Sequence, residues 1–512
     1  MRNSRITSRI ILAALFMLIV ACSNSSKQKS ASKASELPNF VLLMGDDHGW
    51  DEVAYNGHPF VKTPVLDDMA EKGMRFDRFY SGHPTCSPTR GSFLTGRHPN
   101  RFGTFSPNWS IRPEEITIAH ILKNAGYASA HFGKWHVGPV KKESPTSPGA
   151  MGFDEWLSHD NFFEIDPVLS KNGQEPQEIR GESSKIIIDE AIRFIEKTKS
   201  KQQPFLVVVW FGSPHEPYIG LPEDLALYEN LPDSLNKYTV KVTSVETGKQ
   251  IERPLGEVLQ KRYAEITAMD RAIGELRDYL KETNLGKNTL LLYCGDNGTP
   301  TSAKRTGMTL REDKGSLYEG GILVPGVVEW PAVIKKSSVN RNIASTSDIL
   351  PTLADITGQE LPDRPVDGIS LLPYLVHPEK ERKEPICFWQ FNSDEAFGEN
   401  PLDYIDPQLQ EGTTPLAKIM DGKYTRKFRN YIYPAIAEKD FYGERAILTN
   451  RFKLILDGDS PNEDGDELYD LENDRSETVN VAYKYPEVVD SLQTQMRTWQ
   501  ESVLNSLTGA DY

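Results

Sequence analysis

The stretch FVLLMGDD, residues 40–47, joins a short apolar run to two aspartates that follow it almost at once. A continuous apolar run of this length is typical of a strand that is buried on both faces of a parallel sheet. Three more runs of this kind occur, at residues 127–132, 205–211 and 289–293. Together they predict four buried strands.

Helical patterns lie between these runs. Apolar residues recur at intervals of three and four from Leu259 to Leu280, which predicts an amphipathic helix ahead of the fourth run. Residues 183–199 have the same character ahead of the third run. Strands that alternate with helices in this way predict an α/β fold with a mostly parallel sheet flanked by helices.

Polar side chains that could carry chemistry follow the predicted strands. Each apolar run is followed within a few residues by an acidic, basic, histidine or amide side chain. These residues are Asp46, Asp47, Lys134, His136, His215, Asp296 and Asn297. Because ligands bind at the carboxyl ends of parallel strands, we expect the four segments to meet in one cleft.

Three of these residues are aspartates and a fourth is an amide, so the set offers hard oxygen ligands. Such oxygens suit Ca²⁺ or Mg²⁺, whereas zinc prefers histidine and cysteine. The pair Asp46-Asp47 alone would ordinarily indicate a turn or a helix cap. The second pair, Asp296-Asn297, follows an equivalent strand and therefore favours a metal site.

Cys86 opens a segment, residues 86–96, whose pattern predicts a helix. A helix N-terminus favours anions, because it presents free backbone N–H groups and the positive end of the dipole. An ordinary cysteine there would be a thiolate nucleophile or a metal ligand. Neither role fits well, since a catalytic thiol needs a histidine base and a thiolate is a poor ligand for Ca²⁺.

The motif Cys86-Ser87-Pro88-Thr89-Arg90 resembles the Cys-x-Pro-x-Arg signature of type I sulfatases, in which the cysteine is oxidised to Cα-formylglycine (3-oxoalanine). Further segments are similar to that family's motifs and follow in its order. They are GKWH at 133–136, SPH at 213–215, GDNG at 295–298, DKGSLYEGG at 313–321 and ELYDL at 467–471. The resemblance runs from about residue 38 to about residue 500 and implies an alkaline-phosphatase-like fold.

The resemblance implies one Ca²⁺ per chain, with Mg²⁺ less favoured, held by residue 86 and four oxygen ligands, Asp46, Asp47, Asp296 and Asn297. It also implies an aldehyde at Cys86, made by a formylglycine-generating maturation enzyme and hydrated to a geminal diol. One hydroxyl attacks sulfur and displaces the alcohol, so that residue 86 becomes sulfated. The other hydroxyl then loses its proton to His136, and sulfate is expelled.

The resemblance also assigns roles to the cationic residues. Arg90, one helical turn from Cys86, is expected to hold the aldehyde hydrate. Lys134 and Lys314 are expected to bind sulfate oxygens, and Lys314 and His215 to protonate the departing oxygen. The expected catalytic set is therefore Cys86, Arg90, Lys134, His136, His215 and Lys314, and the substrate-binding set is Lys134, His215 and Lys314.

Other polar and aromatic residues flank these motifs and are candidates for contact with the sugar or aryl part of a substrate. The polar candidates are His48, His83, His98, His159, Asp160, Asn161, Glu216 and Arg305. Trp50, Trp109 and Trp156 could stack on a sugar ring, although packing in the core is the preferred interpretation.

The N-terminus has the pattern of an export signal. Three arginines precede an apolar run that is too short to span a bilayer comfortably, and residues 19–22 resemble the lipobox of bacterial lipoproteins. We therefore expect residues 1–21 to be a signal peptide and Cys22 to be lipidated. Residues 22–37 are expected to form a flexible tether on the periplasmic or cell-surface side of a bacterial membrane.

The chain of 512 residues carries 58 Lys and Arg against 73 Asp and Glu, a formal charge of −15. This balance argues against nucleic-acid binding and requires a local cationic pocket for an anionic substrate. Residues 38–376 are expected to form the catalytic α/β domain, and residues 377–512 a smaller α+β subdomain with an antiparallel sheet. Cys294 and Cys387 are expected to be buried apolar residues, outside any disulfide.

These features predict a sulfuric ester hydrolase that acts on sulfated carbohydrate. The preferred substrates are oligosaccharides of an algal polysaccharide such as ulvan, carrageenan or fucoidan, after another enzyme has cut the polymer. Animal glycosaminoglycans are a second possibility. Two other functions stay open, a phosphonate or phosphate ester hydrolase of the same superfamily and a non-catalytic lipoprotein that binds sulfated glycans.

Overall fold

A computed structural model describes residues 37–245, 247–304, 309–415, 425–456 and 465–512. Up to residue 345 its strands are β1 (Asn39–Gly45), β2 (Met74–Tyr80), β3 (Ala128–Lys134), β4 (Glu155–His159), β5 (Val168–Lys171), β6 (Gln177–Glu178), β7 (Phe205–Trp210), β8 (Thr239–Thr243), β9 (Gln250–Pro254), β10 (Thr289–Gly295), β11 (Leu323–Glu329) and β12 (Ser338–Ser345). The later strands are β13 (Ile386–Trp389), β14 (Glu411–Pro415), β15 (Thr425–Lys427), β16 (Arg445–Leu448), β17 (Phe452–Leu456) and β18 (Glu467–Asp470). The described α-helices are Pro64–Lys72, Cys86–Thr95, Ile118–Asn124, Ser183–Ser200, Pro222–Ala226, Leu255–Glu282, Glu319–Ile322, Ile349–Thr357, Leu372–Val376, Ser393–Phe397 and Pro486–Leu507.

The main sheet has ten strands in the order β12-β2-β11-β10-β1-β7-β3-β4-β5-β6. Strands β10, β1, β7, β3 and β4 run parallel, whereas β11 is antiparallel to both of its neighbours. The four strands predicted from apolar runs are therefore the centre of the sheet. The predicted mostly parallel α/β architecture is confirmed.

Helices cover both faces of this sheet because successive residues of each central strand point to opposite sides. Phe40 and Leu42 enter one core, whereas Val41 enters the other. Helices Ser183–Ser200 and Leu255–Glu282, both predicted from their periodicity, cover the Val41 side. Both strand faces are buried, which explains why the runs are continuously apolar rather than alternating.

A four-stranded antiparallel sheet, in the order β13-β16-β17-β18, lies in the C-terminal part. One face packs on the closing helix Pro486–Leu507 in a core that contains Leu454 and Met496. Its other face joins a core that contains Tyr80 and Ile322 of the larger unit. The predicted smaller α+β unit with an antiparallel sheet is thus present, while the exact boundary at residue 376 stays a prediction.

One part of residues 377–512 does not lie with that small sheet. Strands β14 and β15 pair with each other as a separate two-stranded ribbon. The following segment reaches the larger unit through a bridge between Trp109 and Arg429. The predicted C-terminal subdomain did not include this separate ribbon, because its contact with the larger unit depends on long-range pairing.

Several predictions fall outside the described residues. They concern the signal sequence, Cys22, nearly all of the tether, and Arg305. Within the described ranges, no helix is both long enough and apolar enough to cross a membrane. Cys86 and Cys294 are buried and Cys387 is only partly so, which corrects the expectation for Cys387; all three thiols are free.

Candidate active site

The carboxyl ends of β10, β1, β7 and β3 lie side by side at one edge of the main sheet. The backbone N–H of Asp46 donates to the Ser213 carbonyl at 3.0 Å, and that of Asp296 donates to the Gly45 carbonyl at 3.1 Å. The segments that follow the strands are thereby held against one another. The structure brings the predicted polar residues of these segments to one place.

Cys86 is the first residue of a ten-residue helix that is buried along its whole length and ends at Gly96. Its Sγ lies 3.9 Å from Asp47 Oδ1. Burial raises the pKa of the Cys86 thiol to about 12, although Lys134 and Lys314 oppose this shift. The unmodified thiol therefore stays protonated at neutral pH and is a poor nucleophile.

Two aspartates beside Cys86 are paired with lysines. Asp46 Oδ2 accepts a hydrogen bond from Lys134 Nζ at 2.7 Å, and both side chains are fully buried. Asp47 Oδ1 accepts from Lys314 Nζ at 2.5 Å and from Asn297 Nδ2 at 2.8 Å. Burial lowers the pKa of Lys314, but the Asp47 carboxylate outweighs it, and the pKa lies well above its ordinary value.

The third aspartate, Asp296, is paired with Arg90. Its Oδ2 accepts from Arg90 Nη2 at 2.6 Å, and its Oδ1 accepts from the backbone N–H of Asp47 at 2.9 Å. Arg90 also donates to the Lys134 carbonyl at 3.2 Å. Burial and the nearby Asp46 carboxylate raise the pKa of Asp296 to about 6. In the unmodified chain Arg90 thus bonds to Asp296 and to the Lys134 carbonyl, and its predicted contact with the aldehyde hydrate stays a prediction.

This cluster fits a divalent cation. Asp46 Oδ1 and Asn297 Oδ1 are buried and have no hydrogen-bond partner, which is costly for a polar atom, and Arg90 Nη2 comes no closer than 3.5 Å to Asp46 Oδ1. Candidate ligand atoms of Asp46, Asp47, Cys86 and His215 all lie within 4.8 Å of one another. Because most of the available donors are carboxylate and amide oxygens, the site suits Ca²⁺ or Mg²⁺.

Two histidines at the site are neutral. His215 Nε2 lies 3.7 Å from Asp47 Oδ2, while its Nδ1–H donates to the Glu216 carbonyl at 2.5 Å. Burial lowers the pKa of His215 to about 3. Burial, assisted by the charge of Lys134, lowers the pKa of His136 well below its usual value. Both rings are therefore unprotonated at neutral pH.

Three residues with strained backbone lie around these groups. Asp47 (φ 60°), Asn108 (φ 69°) and His136 (φ 59°) adopt left-handed conformations that cost energy for residues other than glycine. Asn108 Oδ1 accepts from His136 Nε2 at 3.4 Å, which leaves His136 Nδ1 buried without a hydrogen-bond partner. The fold thus holds His136 in one orientation with a free acceptor nitrogen.

Most of the flanking candidates have structural contacts. His48 bonds to Tyr293, His83 to Thr85, and Glu216 to Thr243. Trp109 and Trp156 are buried, as the preferred interpretation held, and Trp50 packs under the guanidinium of Arg475. The remaining described candidates, also largely buried, are His98, His159, Asp160 and Asn161.

Three residues near the cleft were not predicted. The Phe162 ring stacks on the His215 ring, with centroids 4.6 Å apart and an interplanar angle of 14°. Arg426 lies with its guanidinium 6.0 Å from the Phe162 centroid. Phe162 directly follows the candidates Asp160 and Asn161, so its position in the sequence could have indicated it. No local sequence feature distinguishes Asn108 or Arg426.

Comparison with known proteins adds to this geometry. A family model described as Sulfatase matches residues 38–359. The N-acetylgalactosamine-6-sulfatase of Mus musculus is 29% identical over 408 residues, which cover 71% of this chain and 71% of that protein. The ulvan-active sulfatase of Formosa agariphila is 29% identical over 381 residues, which cover 73% of this chain and 72% of that protein.

A solved structure of Ps i-CgsB in complex with k-i-k-neocarrahexaose shares the fold. The TM-score is 0.71 at 22% sequence identity, over 91% of this chain and 93% of that one. The likeness confirms the predicted alkaline-phosphatase-like architecture. Since the family model also spans more than half of its length, the chain belongs to the sulfatase family, whose members are sulfuric ester hydrolases.

Proposed function

We propose that this protein is a Ca²⁺-dependent sulfatase that removes sulfate from a sulfated carbohydrate by means of a formylglycine made from Cys86. The observation that carries the proposal is the position of Cys86. It begins a buried helix beside an oxygen cluster in which Asp46 Oδ1 and Asn297 Oδ1 have no hydrogen-bond partner. The unmodified thiol is protonated there, so the position calls for a different nucleophile.

The aldehyde at residue 86 and the Ca²⁺ ion would each supply one part of the chemistry. When the maturation enzyme has converted Cys86, the aldehyde hydrate supplies a hydroxyl nucleophile at the helix N-terminus. When Ca²⁺ is bound, it supplies positive charge among Asp46, Asp47, Asp296 and Asn297. The protein's own residues have to bind the sulfate, orient it and move protons.

The lysines are suited to the sulfate group. Lys134 and Lys314 bond to carboxylates whose ligand atoms lie within 4.8 Å of the Cys86 Sγ, so their ammonium groups are close enough to residue 86 to bind sulfate oxygens there. Lys314 keeps its proton, because its pKa is raised by Asp47, and it is still one-fifth exposed to the cleft. These properties support Lys314 as the donor to the departing oxygen.

Each of the two histidines has a ring nitrogen that could act as an acceptor. In neutral His215 the Nδ1 proton is engaged with Glu216, so Nε2 carries the lone pair. His136 has an unpartnered Nδ1 in a buried ring. Of the two groups predicted to protonate the leaving group, Lys314 therefore has better support than His215, and His136 is supported as a base.

The names of two relatives and of one structural neighbour support a carbohydrate substrate. One is an N-acetylgalactosamine-6-sulfatase, one acts on ulvan, and one was solved with a neocarrahexaose. We therefore propose sulfated oligosaccharides, with algal polysaccharides such as ulvan, carrageenan or fucoidan as their source. Equal rates of sulfate release from intact polymer and from oligosaccharides would contradict the preference for oligosaccharides.

The test has two steps. Mass spectrometry of the peptide that contains residue 86, from protein made in its native host, should show a loss of about 18 Da for conversion of the thiol to the aldehyde. The converted protein should then release sulfate from members of a sulfated oligosaccharide panel, but not phosphonate or phosphate from matched esters. An unmodified Cys86 in the native protein would favour a glycan-binding role instead.

We also propose that the mature protein is exported and anchored through lipids on Cys22. The support is the lipobox-like sequence at residues 19–22. Metabolic labelling with a fatty acid should label the wild-type protein and not Cys22→Ala. A labelled Cys22→Ala protein, or an unlabelled wild type, would contradict this assignment.

A further inference from the structure

We propose that the edge of the main sheet opposite the reaction centre lies against an anionic lipid surface, so that the reaction centre faces away from the membrane. The inference rests on the proposed lipid anchor at Cys22 and adds an orientation and a lipid class to it. It concerns a lysine-rich surface that has no part in the proposed chemistry. We call this surface the lysine face.

The lysine face is formed by four segments at the amino ends of central strands. They are residues 122–127 before β3, 196–204 before β7, 281–288 before β10, and 330–338 between β11 and β12. Because β1, β3, β7 and β10 run parallel and β11 is antiparallel to β10, all four segments lie at one edge of the sheet. Hydrogen bonds join them in pairs: Gln203 Nε2 donates to the Gly126 carbonyl at 3.0 Å, and Trp330 Nε1 donates to Asn288 Oδ1 at 3.2 Å.

This edge is basic although the chain is acidic. The four segments contain eight lysines and two glutamates, in a chain whose formal charge is −15. All eight lysines are exposed, and they are Lys123, Lys197, Lys199, Lys201, Lys281, Lys287, Lys335 and Lys336. The entries to β2 and β4 at the same edge add Glu71, Lys72 and Asp154, so the excess of positive charge persists.

Most of these lysines have no ionic partner. Lys123 pairs with Asp154 and Lys197 pairs with Glu155, whereas the other six form no ion pair with any residue that the structure describes. A helix C-terminus favours lysine, which accounts for the four in last turns, Lys123, Lys197, Lys199 and Lys281. It does not account for the lysines in turns outside the helices, Lys201, Lys335 and Lys336.

The chain enters the described fold at this same edge. Asn39, the first residue of β1, bonds to the first residues of β7 and β10. Its Oδ1 accepts from the backbone N–H of Phe205 at 3.3 Å, and its Nδ2 donates to Thr289 Oγ1 at 3.4 Å. The 16 residues of the proposed tether, 22–37, therefore join the fold at the centre of the lysine face. Because a flexible chain of that length spans about 20 Å, a lipid on Cys22 would keep this face near the membrane.

An anionic bilayer is the partner that this arrangement suits. Exposed lysines are attracted to anionic headgroups within a Debye length, about 8 Å at physiological salt, whereas the acidic remainder of the chain is repelled. Strand β1 has seven residues, and a strand of that length holds its two ends about 20 Å apart. The reaction centre therefore faces away from the lipid. A sulfated polymer offers similar charge, but the proposed anchor brings lipid to this edge.

The first experiment measures vesicle binding in the absence of the lipid anchor. The mature chain, residues 22–512 with Cys22→Ala, is sedimented with vesicles of phosphatidylcholine alone or of equal parts phosphatidylcholine and phosphatidylglycerol. The test variant adds Lys199→Glu, Lys201→Glu, Lys335→Glu and Lys336→Glu. The matched control reverses four other exposed lysines that form no ion pair with a described residue, by Lys237→Glu, Lys241→Glu, Lys249→Glu and Lys484→Glu.

We expect the wild-type chain to bind the anionic vesicles about tenfold more tightly than the neutral ones, and to lose this preference at high salt. The test variant should lose most of the preference and the control variant should keep most of it. Thermal unfolding of all three proteins checks that the variants fold. A wild-type chain without preference, or an equal loss in both variants, would overturn the inference. Tighter binding of the wild-type chain to a sulfated polysaccharide than to the anionic vesicles would overturn it as well.

Hydrogen exchange on the lipidated protein tests the orientation. In anionic vesicles the amides of residues 196–204 and 330–338 should exchange more slowly than in detergent, whereas those of residues 213–216 and 311–319, at the reaction centre, should not change. Protection at the reaction centre instead would overturn the inference. If Cys22 carried no lipid while the unlipidated chain still bound anionic vesicles through the lysine face, the proposed anchor would fail and the lysine face would stand.

Discussion

Arg262 forms a two-pronged ion pair with Glu52, at 2.7 Å and 2.5 Å, in the layer of side chains behind the loop that carries Asp47. The same guanidinium donates to the carbonyl oxygens of Asp47 at 2.5 Å and Pro214 at 2.6 Å. Arg262 is fully buried on helix Leu255–Glu282. One arginine therefore fixes the loops that follow β1 and β7.

Arg262→Met should lower the free energy of unfolding by about 3–5 kcal/mol, because Glu52 would lose its buried cation. It should also weaken Ca²⁺ binding, since Asp47 would lose its backbone support. Chemical denaturation and calcium calorimetry measure the two effects. Arg271→Met is the control for calcium binding, because the half-exposed Arg271 lies on the same helix, where it pairs with the buried Asp224. Unchanged calcium affinity in Arg262→Met would contradict this role.

Lys314→Gln should slow release of alkyl sulfate by about 10²- to 10⁴-fold, if Lys314 protonates the departing oxygen. The loss should be much smaller for an aryl sulfate with an acidic phenol, which leaves without a proton. Steady-state kcat on both substrate types gives the comparison. An equal loss on both would mean that Lys314 binds sulfate and does not act as the acid.

Calcium and sulfate should stabilise the protein more together than separately. The buried carboxylates Asp46, Asp47 and Asp296 are matched in number by the cations Arg90, Lys134 and Lys314, with which they form ion pairs. A divalent cation alone leaves this cluster with excess positive charge, which a sulfate dianion would neutralise.

Thermal unfolding of the converted protein tests this coupling. The rise in Tm with Ca²⁺ and sulfate together should exceed the sum of the separate rises, and a chelator should abolish the effect of Ca²⁺. Chloride at equal ionic strength is the control for sulfate. Strictly additive shifts would contradict the charge-balance argument.

Stability should fall as the pH drops below about 6.5, the ordinary pKa of histidine. Burial lowers the pKa of His98 to about 3 and that of His48 to about 4, and it lowers those of His83 and His131 well below the usual value. The unfolded chain then binds protons that the folded chain does not. Each such histidine therefore lowers the free energy of unfolding by about 1.4 kcal/mol for each pH unit.

His98→Asn tests this linkage. Asparagine can keep the cap, because His98 Nδ1 only accepts from the backbone N–H of Asn100. The slope of unfolding free energy against pH, between pH 6 and pH 5, should be smaller in the variant by about one proton. His377→Asn, at an exposed position, should leave the slope unchanged. An unchanged slope in His98→Asn would contradict the linkage.

Lys453→Met should lower the free energy of unfolding by about 3–5 kcal/mol. Lys453 is fully buried between Glu319 at 3.2 Å and Glu477 at 2.8 Å, where the main and C-terminal sheets meet. Its loss would leave two neighbouring carboxylates without a cation. Denaturant titration measures the change, and Lys439→Met, in an exposed pair with Glu395, is the control. A loss below 1 kcal/mol would show that the glutamates take up protons at little cost.

The sequence was sufficient to predict the central strands of the fold and the segments that form the site. Continuous apolar runs such as residues 40–44 predict buried strands, because a strand covered on both faces has no polar side. The helix at Cys86–Thr95 and the four polar strand ends also follow from local pattern and from the rule that parallel strands present their carboxyl ends together. The family was recognisable from the motif at Cys86.

Tertiary structure decided which side chains touch. That Arg90 bonds to Asp296, that Asp46 Oδ1 and Asn297 Oδ1 are left without hydrogen bonds, and that Arg426 reaches Phe162 all depend on segments far apart in the chain. Local propensity carries no information on such pairs, because their geometry is set by how the strands and the ribbon pack. The sequence by itself therefore determined the chemistry available to this protein, and packing determined which groups hold the reaction centre and which face the substrate.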